Sequence, residues 1–342
     1  MERLCGLRKG EGRDHGQKDF AGNVQHSERS GILLAMAGFS SLSVGDAIVK
    51  TMSGEWSPLA VAALRFTIGA VALSLLLLRS EGAAAFRPRR PLLQVARGAC
   101  LAGATLCFFS AVFVMQLAEA MALAFCAPVF VALLSGPLLK EKVRPAVWIA
   151  SPIALIGVML VLRPNFAELG IMAGLPLLSA FFFGLMVICN RAAAGDGSAL
   201  SMQVFIACLA TPFLIAAATI GHLTGAPSLQ VAVPDWTIVL RCAIVAVTAT
   251  TAHWLVFLGT TRAGAATIAP TTYVQMIVAI TLGYLLFSDV PDWPTLGGAA
   301  IIIGAGVFLW LTTPRAAKEM PRGLQGQPET LEREANTSGN GN

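Results

Sequence analysis

The stretch EAMALAFCAPVFVALLSGPLLKEKVRPAVWIASPIALIGVMLVLR, residues 119–163, decides the fold class. It contains two apolar runs of membrane-spanning length, separated by a charged turn at residues 140–145. A helix needs about 20 apolar residues to cross about 30 Å of hydrocarbon. The stretch therefore predicts two transmembrane helices joined by a short turn.

The same plan returns near the C-terminus, at residues 265–310. Asp289 stands there at the position that Glu141 has in the first copy. The motif AGVFL at 305–309 likewise echoes IGVML at 156–160. We interpret the chain as two copies of one membrane-spanning unit.

The composition excludes a soluble globular protein. The chain is 13% charged and 56% hydrophobic, whereas a globular domain is about one quarter charged and about half apolar. The net charge of +5 does not indicate nucleic acid, because most Lys and Arg lie in tails and loops, where they orient a protein in the bilayer. We therefore predict an integral membrane protein whose surroundings are lipid.

Ten candidate spans follow from the apolar runs. They cover residues 31–52, 58–78, 95–116, 120–139, 147–162, 169–190, 202–221, 236–258, 264–287 and 294–312. The first unit is residues 31–163 and the second is 168–313. The polar tails, residues 1–30 and 314–342, are expected to be disordered and cytoplasmic.

Loop charge predicts the orientation. If the N-terminus is cytoplasmic, nearly all loop Lys and Arg lie on the cytoplasmic side, which satisfies the positive-inside rule. Each unit has five spans, an odd number, so the second unit enters the membrane from the opposite face. The expected fold is an all-α integral membrane protein with ten transmembrane helices in two inverted five-helix repeats. The expected location is the cytoplasmic membrane, with both termini inside the cell. The sequence indicates no particular oligomeric state.

Several motifs resemble the EamA domain of the drug/metabolite transporter superfamily. The first copy has QLAEAMAL at 116–123, APVF at 127–130 and LKE at 139–141. The second copy has APTTYVQ at 269–275 and GYLLF at 283–287. The chain departs from the family pattern in Asp289, where Glu is usual, and in Met276, where Pro128 would map.

This resemblance implies a secondary transporter of small organic solutes with ten helices in a 5+5 inverted repeat. Members of the family are described as carriers of amino acids, amines or carboxylates, and some as S-adenosylmethionine uptake carriers. The resemblance implies no enzymatic activity.

Three charged residues lie within predicted spans 1 and 2. A charge at the bilayer centre costs about 2.5–3.5 kcal/mol on insertion scales, so such residues are functional candidates. Asp46 and Lys50 are four positions apart and share one helical face, and Asp46 and Arg65 both lie about 10 Å deep, at about 1.5 Å per residue. Three interpretations stay open: a structural Asp46–Arg65 ion pair, a polar wall that meets a carboxylate or phosphate, or a Lys50 that extends outward to the headgroups.

Other candidates are neutral, or lie near the ends of the spans. Substrate-binding candidates near the middle of the membrane are Phe109, Phe125, His253, Trp254, Tyr273 and Gln275. Packing between helices is the alternative for each of them. Of Tyr273 and Gln275, we expect Tyr273 to face the solute, because its side chain can both stack against a solute and form a hydrogen bond with it. We expect Arg97 and Arg241 to reach headgroups, and the equivalent acidic residues Glu141 and Asp289 to cap the following helices.

No metal-ligand spacing, phosphate loop or clustered catalytic residues appear in the sequence. We therefore predict no metal, no cofactor, no catalytic residues and a transport process driven by a gradient. A membrane enzyme, a passive channel and a non-transporting membrane protein are the alternatives.

Overall fold

The computed structural model describes residues 8–139, 145–193 and 195–312. Within these ranges the backbone alone is described at 8–28, 139, 163–169, 261, 263–267, 269 and 270. The helices are α1 Arg8–Lys50, α2 Pro58–Ser80, α3 Pro91–Val114, α4 Leu117–Ala124, α5 Ala127–Leu139, α6 Pro145–Leu169, α7 Leu175–Ala192, α8 Ala199–Leu223, α9 Trp236–Ile268, α10 Val274–Phe287 and α11 Trp293–Leu311. Short 3-10 turns at Ala83–Phe86, Gly170–Gly174, Pro227–Leu229 and Ala269–Tyr273 complete the described part.

These helices confirm the ten-helix membrane class. Within the described residues, nine helical segments are long and apolar enough to cross a membrane, and Thr271–Phe287 is a shorter apolar helix. Six helices have a proline in their first turn, where its missing N–H costs nothing and its fixed φ suits the helix, and all of them except α5 open a span. The prolines thus mark where spans begin.

The predicted fourth span, residues 120–139, is not one continuous helix. It consists of α4 and α5, with a break at Phe125 and Cys126. Pro128 lies in the first turn of α5 and cannot donate a hydrogen bond back into α4. The break therefore places Phe125 where the helix axis is interrupted.

The turn predicted between spans 8 and 9, at residues 259–263, is absent. Helix α9 continues to Ile268, and a 3-10 turn then leads into α10. No proline occurs from residue 236 until Pro270, so no residue before it removes a backbone donor from the helix. The helix propensities of residues 259–263 were not low enough to end the helix at the predicted position.

The N-terminal tail also differs from its prediction. Helix α1 begins at Arg8, whereas disorder was expected up to residue 30. The stretch contains no proline, so helix can propagate backward from the first span. Residues 1–7 and the predicted tail at 314–342 lie outside the described residues.

Helix directions can be obtained from pairs of touching residues. Gly38 of α1 lies against Ala252 of α9, and Gly45 lies against Thr248. Residue numbers thus rise along α1 as they fall along α9, and the two helices are antiparallel.

The same test applies to α3 and α7. Ser179 donates a hydrogen bond to the carbonyl of Ala104, and Arg97 donates one to Asn190. Helix α7 therefore runs opposite to α3. The chain reverses direction before α2 and again before α3, so α3 runs in the same direction as α1. Helix α7 therefore runs opposite to α1.

Helix packing follows a two-fold pattern. Helix α1 packs on α9, and its equivalent α7 packs on α3. Helix α10 packs on α1 as α5 packs on α7, while α2 with α8 and α6 with α11 are pairs that map onto themselves. With the opposite directions of α1 and α7, this pattern confirms two inverted five-helix repeats.

Helices α6 and α11 cross at two glycines. A Cβ atom on Gly298 would lie 2.6 Å from the carbonyl oxygen of Gly157, and one on Gly157 would lie 2.7 Å from the carbonyl oxygen of Gly298. Contact this close between backbones is possible only without side chains, as in small-residue helix interfaces in membranes.

We predict that Gly298→Ala destabilises the protein by about 1–3 kcal/mol, because the new methyl group meets backbone that cannot move aside. The measurement is the thermal unfolding midpoint of the protein in detergent. The matched control is Gly297→Ala one residue earlier, where no atom lies within 4 Å of the added Cβ. The control should leave the midpoint unchanged or raise it, because Ala favours a helix more than Gly does. Equal midpoints for the two variants would contradict the close crossing.

Candidate functional site

Asp46 lies on the inward face of α1. The outward face is marked by Leu33 and Val44, which are 65% and 38% exposed. Asp46 follows Val44 by two positions, about 200° around the helix, and therefore points away from the lipid. Its side chain is half-buried rather than sealed.

Arg65 of α2 also points inward. Its guanidinium carbon lies 5.0 Å from the ring centroid of Phe66 and 5.3 Å from that of Phe109. Phe109 is only 2% exposed, so a cation over its ring must lie inside the bundle. Both rings contribute cation–π attraction to the guanidinium.

Asp46 and Arg65 do not form the ion pair that was one interpretation of the sequence. Their charges act on each other. Among the described residues, however, neither side chain has an ion pair within 4.0 Å or a hydrogen bond. Two opposite charges within the membrane domain thus act on each other without forming an ion pair.

His253 of α9 is exposed and lies away from the centre of the outward stripe of that helix. The outward stripe of α9 contains Ile244 and Val247, which are 41% and 64% exposed, and His253 is about 180–240° from both. Its Nδ1 lies 2.6 Å from the carbonyl oxygen of Ala249, which accepts a hydrogen bond from it. Arg65 lies within electrostatic range of the ring. Phe257, four positions on and about 40° away, is 40% exposed, so His253 lies at the edge of the outward stripe, on the side where Arg65 acts on it.

Trp254 does not join these residues. It continues the outward stripe of α9 and is 54% exposed, and its ring centroid lies 6.0 Å from that of Phe257. Of the two adjacent candidates on α9, only His253 lies within electrostatic range of Arg65 among the described contacts.

Lys50 ties three helices together at the end of α1. Its ammonium donates to the carboxylate of Asp289, which follows α10. It also donates to the carbonyl of Met115 after α3, at 3.2 Å, and lies 4.9 Å from the ring centroid of Phe287. The Lys50 and Asp289 side chains are 13% and 18% exposed. Lys50 therefore closes this end of the bundle instead of extending to the headgroups.

The predicted capping role of Asp289 is wrong. Asp292 is the N-cap of α11, and its carboxylate accepts a hydrogen bond from the backbone N–H of Thr295 at 2.9 Å. The short turn brings two carboxylates close in sequence, and the second, with its extended backbone, directly precedes α11. Glu141, the equivalent residue of the first repeat, lies outside the described residues.

Further ion pairs close both ends of the bundle in equivalent places. Arg241, near the start of α9, pairs with Glu55 in the loop after α1 at 2.9 Å. At the other end, Arg90 before α3 makes hydrogen bonds of 2.7 and 2.8 Å to Asp196 in the loop after α7. These hydrogen bonds hold the pKa of the Asp196 carboxyl below its usual value.

The family of this chain follows from comparison with known proteins. A model of the EamA-like transporter family matches residues 29–163 and again residues 169–312. The chain belongs to the EamA-like transporter family.

Similar proteins include named transporters for different solutes. The chain is 29% identical to the pseudopaline exporter CntI of Pseudomonas aeruginosa, over 82% of this chain and 96% of the exporter. It is 27% identical to a riboflavin transporter of Vibrio cholerae, over 56% and 61% of the two chains. It is 23% identical to an S-adenosylmethionine uptake transporter of Rickettsia prowazekii, over 82% and 92%. These relatives establish the chain as a membrane transporter and not an enzyme.

A solved crystal structure supports the same fold. It matches 86% of this chain and 99% of its own, with a TM-score of 0.54 and 20% sequence identity. At this identity the match concerns the fold alone.

Phe125 and Tyr273 meet where the two EamA repeats touch. Their ring centroids are 5.5 Å apart, with the planes tilted by 59°. The offset of 148 that relates Glu141 to Asp289 also relates Phe125 to Tyr273. Equivalent residues that touch each other lie on the pseudo-two-fold axis. The hydroxyl of Tyr273 also lies tightly against Gly306 of α11, so this ring packs between the repeats.

Gln275 takes part in two hydrogen bonds, one within its own turn and one with α1. Its side-chain oxygen accepts a hydrogen bond from Thr272 at 3.3 Å, and its backbone carbonyl accepts one from Ser43 of α1 at 2.8 Å. Ser43 was not a candidate from the sequence, because a buried serine on a helix carries no distinguishing signal. The structure thus separates the aromatic contact at the axis from the charged residues of α1 and α2.

We predict that Asp289→Asn destabilises the protein by about 1–3 kcal/mol, because Lys50 loses its counter-charge in a poorly hydrated position. The unfolding midpoint in detergent measures this loss. Asp292→Asn is the matched control three residues later, since Asn caps a helix about as well as Asp. If both variants shifted the midpoint equally, the Lys50–Asp289 pair would not be the contact that stabilises this end.

Proposed function

We propose that this EamA protein is a gradient-driven secondary transporter of a small organic metabolite, such as an amino acid, an amine, a carboxylate or a related compound. The observation that supports this proposal best is the set formed by Asp46, Arg65 and His253. The side chains of Asp46 and Arg65 point inward, and all three remain accessible and lie between inverted repeats, which is where carriers of this plan bind solute.

The ion pairs at the two ends supply a reason for alternating access. Arg241 with Glu55 and Lys50 with Asp289 hold one end, and Arg90 with Asp196 holds the other. A rocking motion of one repeat against the other would separate the pairs at one end while keeping those at the other. Solute binding favours whichever state it contacts better, and so shifts the population between them.

The positive-inside bias supports an orientation in the cytoplasmic membrane with both termini in the cytoplasm. In this orientation the Lys50–Asp289 end faces outward and the Arg90–Asp196 end faces the cytoplasm. Relatives are named both as an exporter and as uptake transporters. Membership of the family therefore leaves either direction of net flux possible, as expected of a carrier whose direction is set by gradients.

Counterflow in proteoliposomes tests this proposal. Liposomes loaded with an unlabelled panel of amino acids, amines and carboxylates should accumulate external labelled solute, and the uptake should saturate. A channel would give uptake that does not saturate and is not stimulated from the opposite side. Uptake no faster than in protein-free liposomes for every solute would contradict the proposal.

A reversible cross-link supplies the control for alternating access. Cysteines at positions 50 and 289, in a cysteine-free background, can be joined by a short bifunctional thiol reagent. We expect counterflow to fall at least tenfold on cross-linking and to return on reduction. The single Lys50→Cys variant with the same reagent should keep its own rate, and unchanged flux in the cross-linked protein would rule out movement at this end.

A further inference from the structure

The two opposite charges on α1 and α2 are unusual because each lacks a partner. Every other ion pair described above is formed within 4.0 Å, including Lys50 with Asp289 and Arg90 with Asp196. Asp46 and Arg65 remain apart although they act on each other electrostatically. An unpaired charge in a membrane domain is costly, so two charges held apart in this way favour a ligand with complementary charges.

The surroundings of Arg65 indicate which part of its guanidinium is free to bind a ligand. The rings of Phe66 and Phe109 lie at 5.0 and 5.3 Å and contact the guanidinium through π interactions. The N–H groups of a guanidinium lie in its plane, and their fork matches the two oxygens of a carboxylate. No hydrogen bond from Arg65 to any described residue uses that fork.

His253 adds a neutral acceptor near the same place. Its Nδ1 donates to Ala249, so the neutral ring presents Nε2 as a hydrogen-bond acceptor. Arg65 lies within electrostatic range of this ring. Asp46 and His253 thus offer acceptors, while Arg65 offers donors.

A ligand with one charge would satisfy only half of this arrangement. A simple carboxylate would pair with Arg65 and add repulsion at Asp46, and a simple amine would do the reverse. A zwitterion places a carboxylate and an ammonium on the same small molecule and satisfies both sides at once.

We propose that Asp46 and Arg65 form a two-charge clamp for a zwitterionic solute of the amino-acid type. Arg65 binds the solute carboxylate and Asp46 binds its ammonium group, with His253 as an additional acceptor. The clamp rests on the proposed transport function and narrows its substrate class. The clamp also assigns each residue a preference for a different charged group of the solute, and the two preferences can be measured separately.

The test uses matched triads of probes in proteoliposomes. One triad is phenylalanine, 2-phenylethylamine and 3-phenylpropionate, which share a ring and differ in their charged groups. The other triads are built in the same way on alanine, leucine, glutamate and lysine. We expect saturable counterflow that is at least tenfold faster for the zwitterion than for either partner in at least one triad.

The variants separate the two halves of the clamp. Arg65→Gln should reduce zwitterion flux about ten- to a hundredfold and leave the matched amine the better substrate. Asp46→Asn should reduce it by a similar factor and leave the matched carboxylate the better one. Arg65→Lys keeps the charge without the fork and should fall between wild type and Arg65→Gln. This variant keeps the proposal testable if Arg65→Gln fails to fold.

The matched control is Arg241→Gln, which also removes one arginine but from the pair with Glu55 at the end of α9. It should keep the wild-type order of preference within each triad. Each protein is first checked for a single peak in size-exclusion chromatography.

The outcomes distinguish the clamp from the transport function on which it rests. Saturable flux that prefers a singly charged or neutral solute would retain the carrier and overturn the clamp. The same would follow if Arg65→Gln and Asp46→Asn lost flux without changing the order of preference. No flux above protein-free liposomes for any triad would count against both.

Discussion

The cost of an unpaired charge in hydrocarbon is the constraint on which the rest of this structure depends. No water is available there to compensate a lost partner, so charged side chains either pair with other protein groups or border a polar space. Arg97 pairs: it is 5% exposed and donates to Asn190 at 2.5 Å. Lys50 pairs with Asp289. Asp46 and Arg65 form no ion pair with a described residue, and for this reason we propose that they border the solute path.

The inverted repeat gives that interior its position. The same packing contacts recur when each helix is replaced by its counterpart in the other repeat, and Phe125 meets Tyr273 on the axis that relates them. Ion pairs at the two ends also occur in equivalent places. An arrangement that is nearly the same seen from either face has two states of similar energy. This similarity is what a carrier needs in order to open alternately to either side.

The sequence predicted features whose causes are local, and missed those that depend on distant partners. Apolar runs of sufficient length predicted the spans, and helical phase placed Asp46 and Lys50 on one face. The partner of Lys50 is 239 residues away, so no local pattern pointed to Asp289. Arg97 was expected at the headgroups and is buried, because Asn190 on α7 supplies an acceptor that only the fold brings near. The acidic turn before α11 has the right residue type for a cap, but Asp292 caps the helix and Asp289 pairs with Lys50.

Water access to α9 tests whether a solute path runs between the repeats. His253→Cys and Trp254→Cys, each alone in a cysteine-free background, are exposed to a membrane-impermeant thiol reagent and to a lipid-soluble one. We expect the impermeant reagent to label position 253 from the aqueous phase, and position 254 to react only with the lipid-soluble reagent. Labelling of position 253 by the lipid-soluble reagent alone, or equal labelling of both positions by the impermeant one, would contradict a solute path between the repeats.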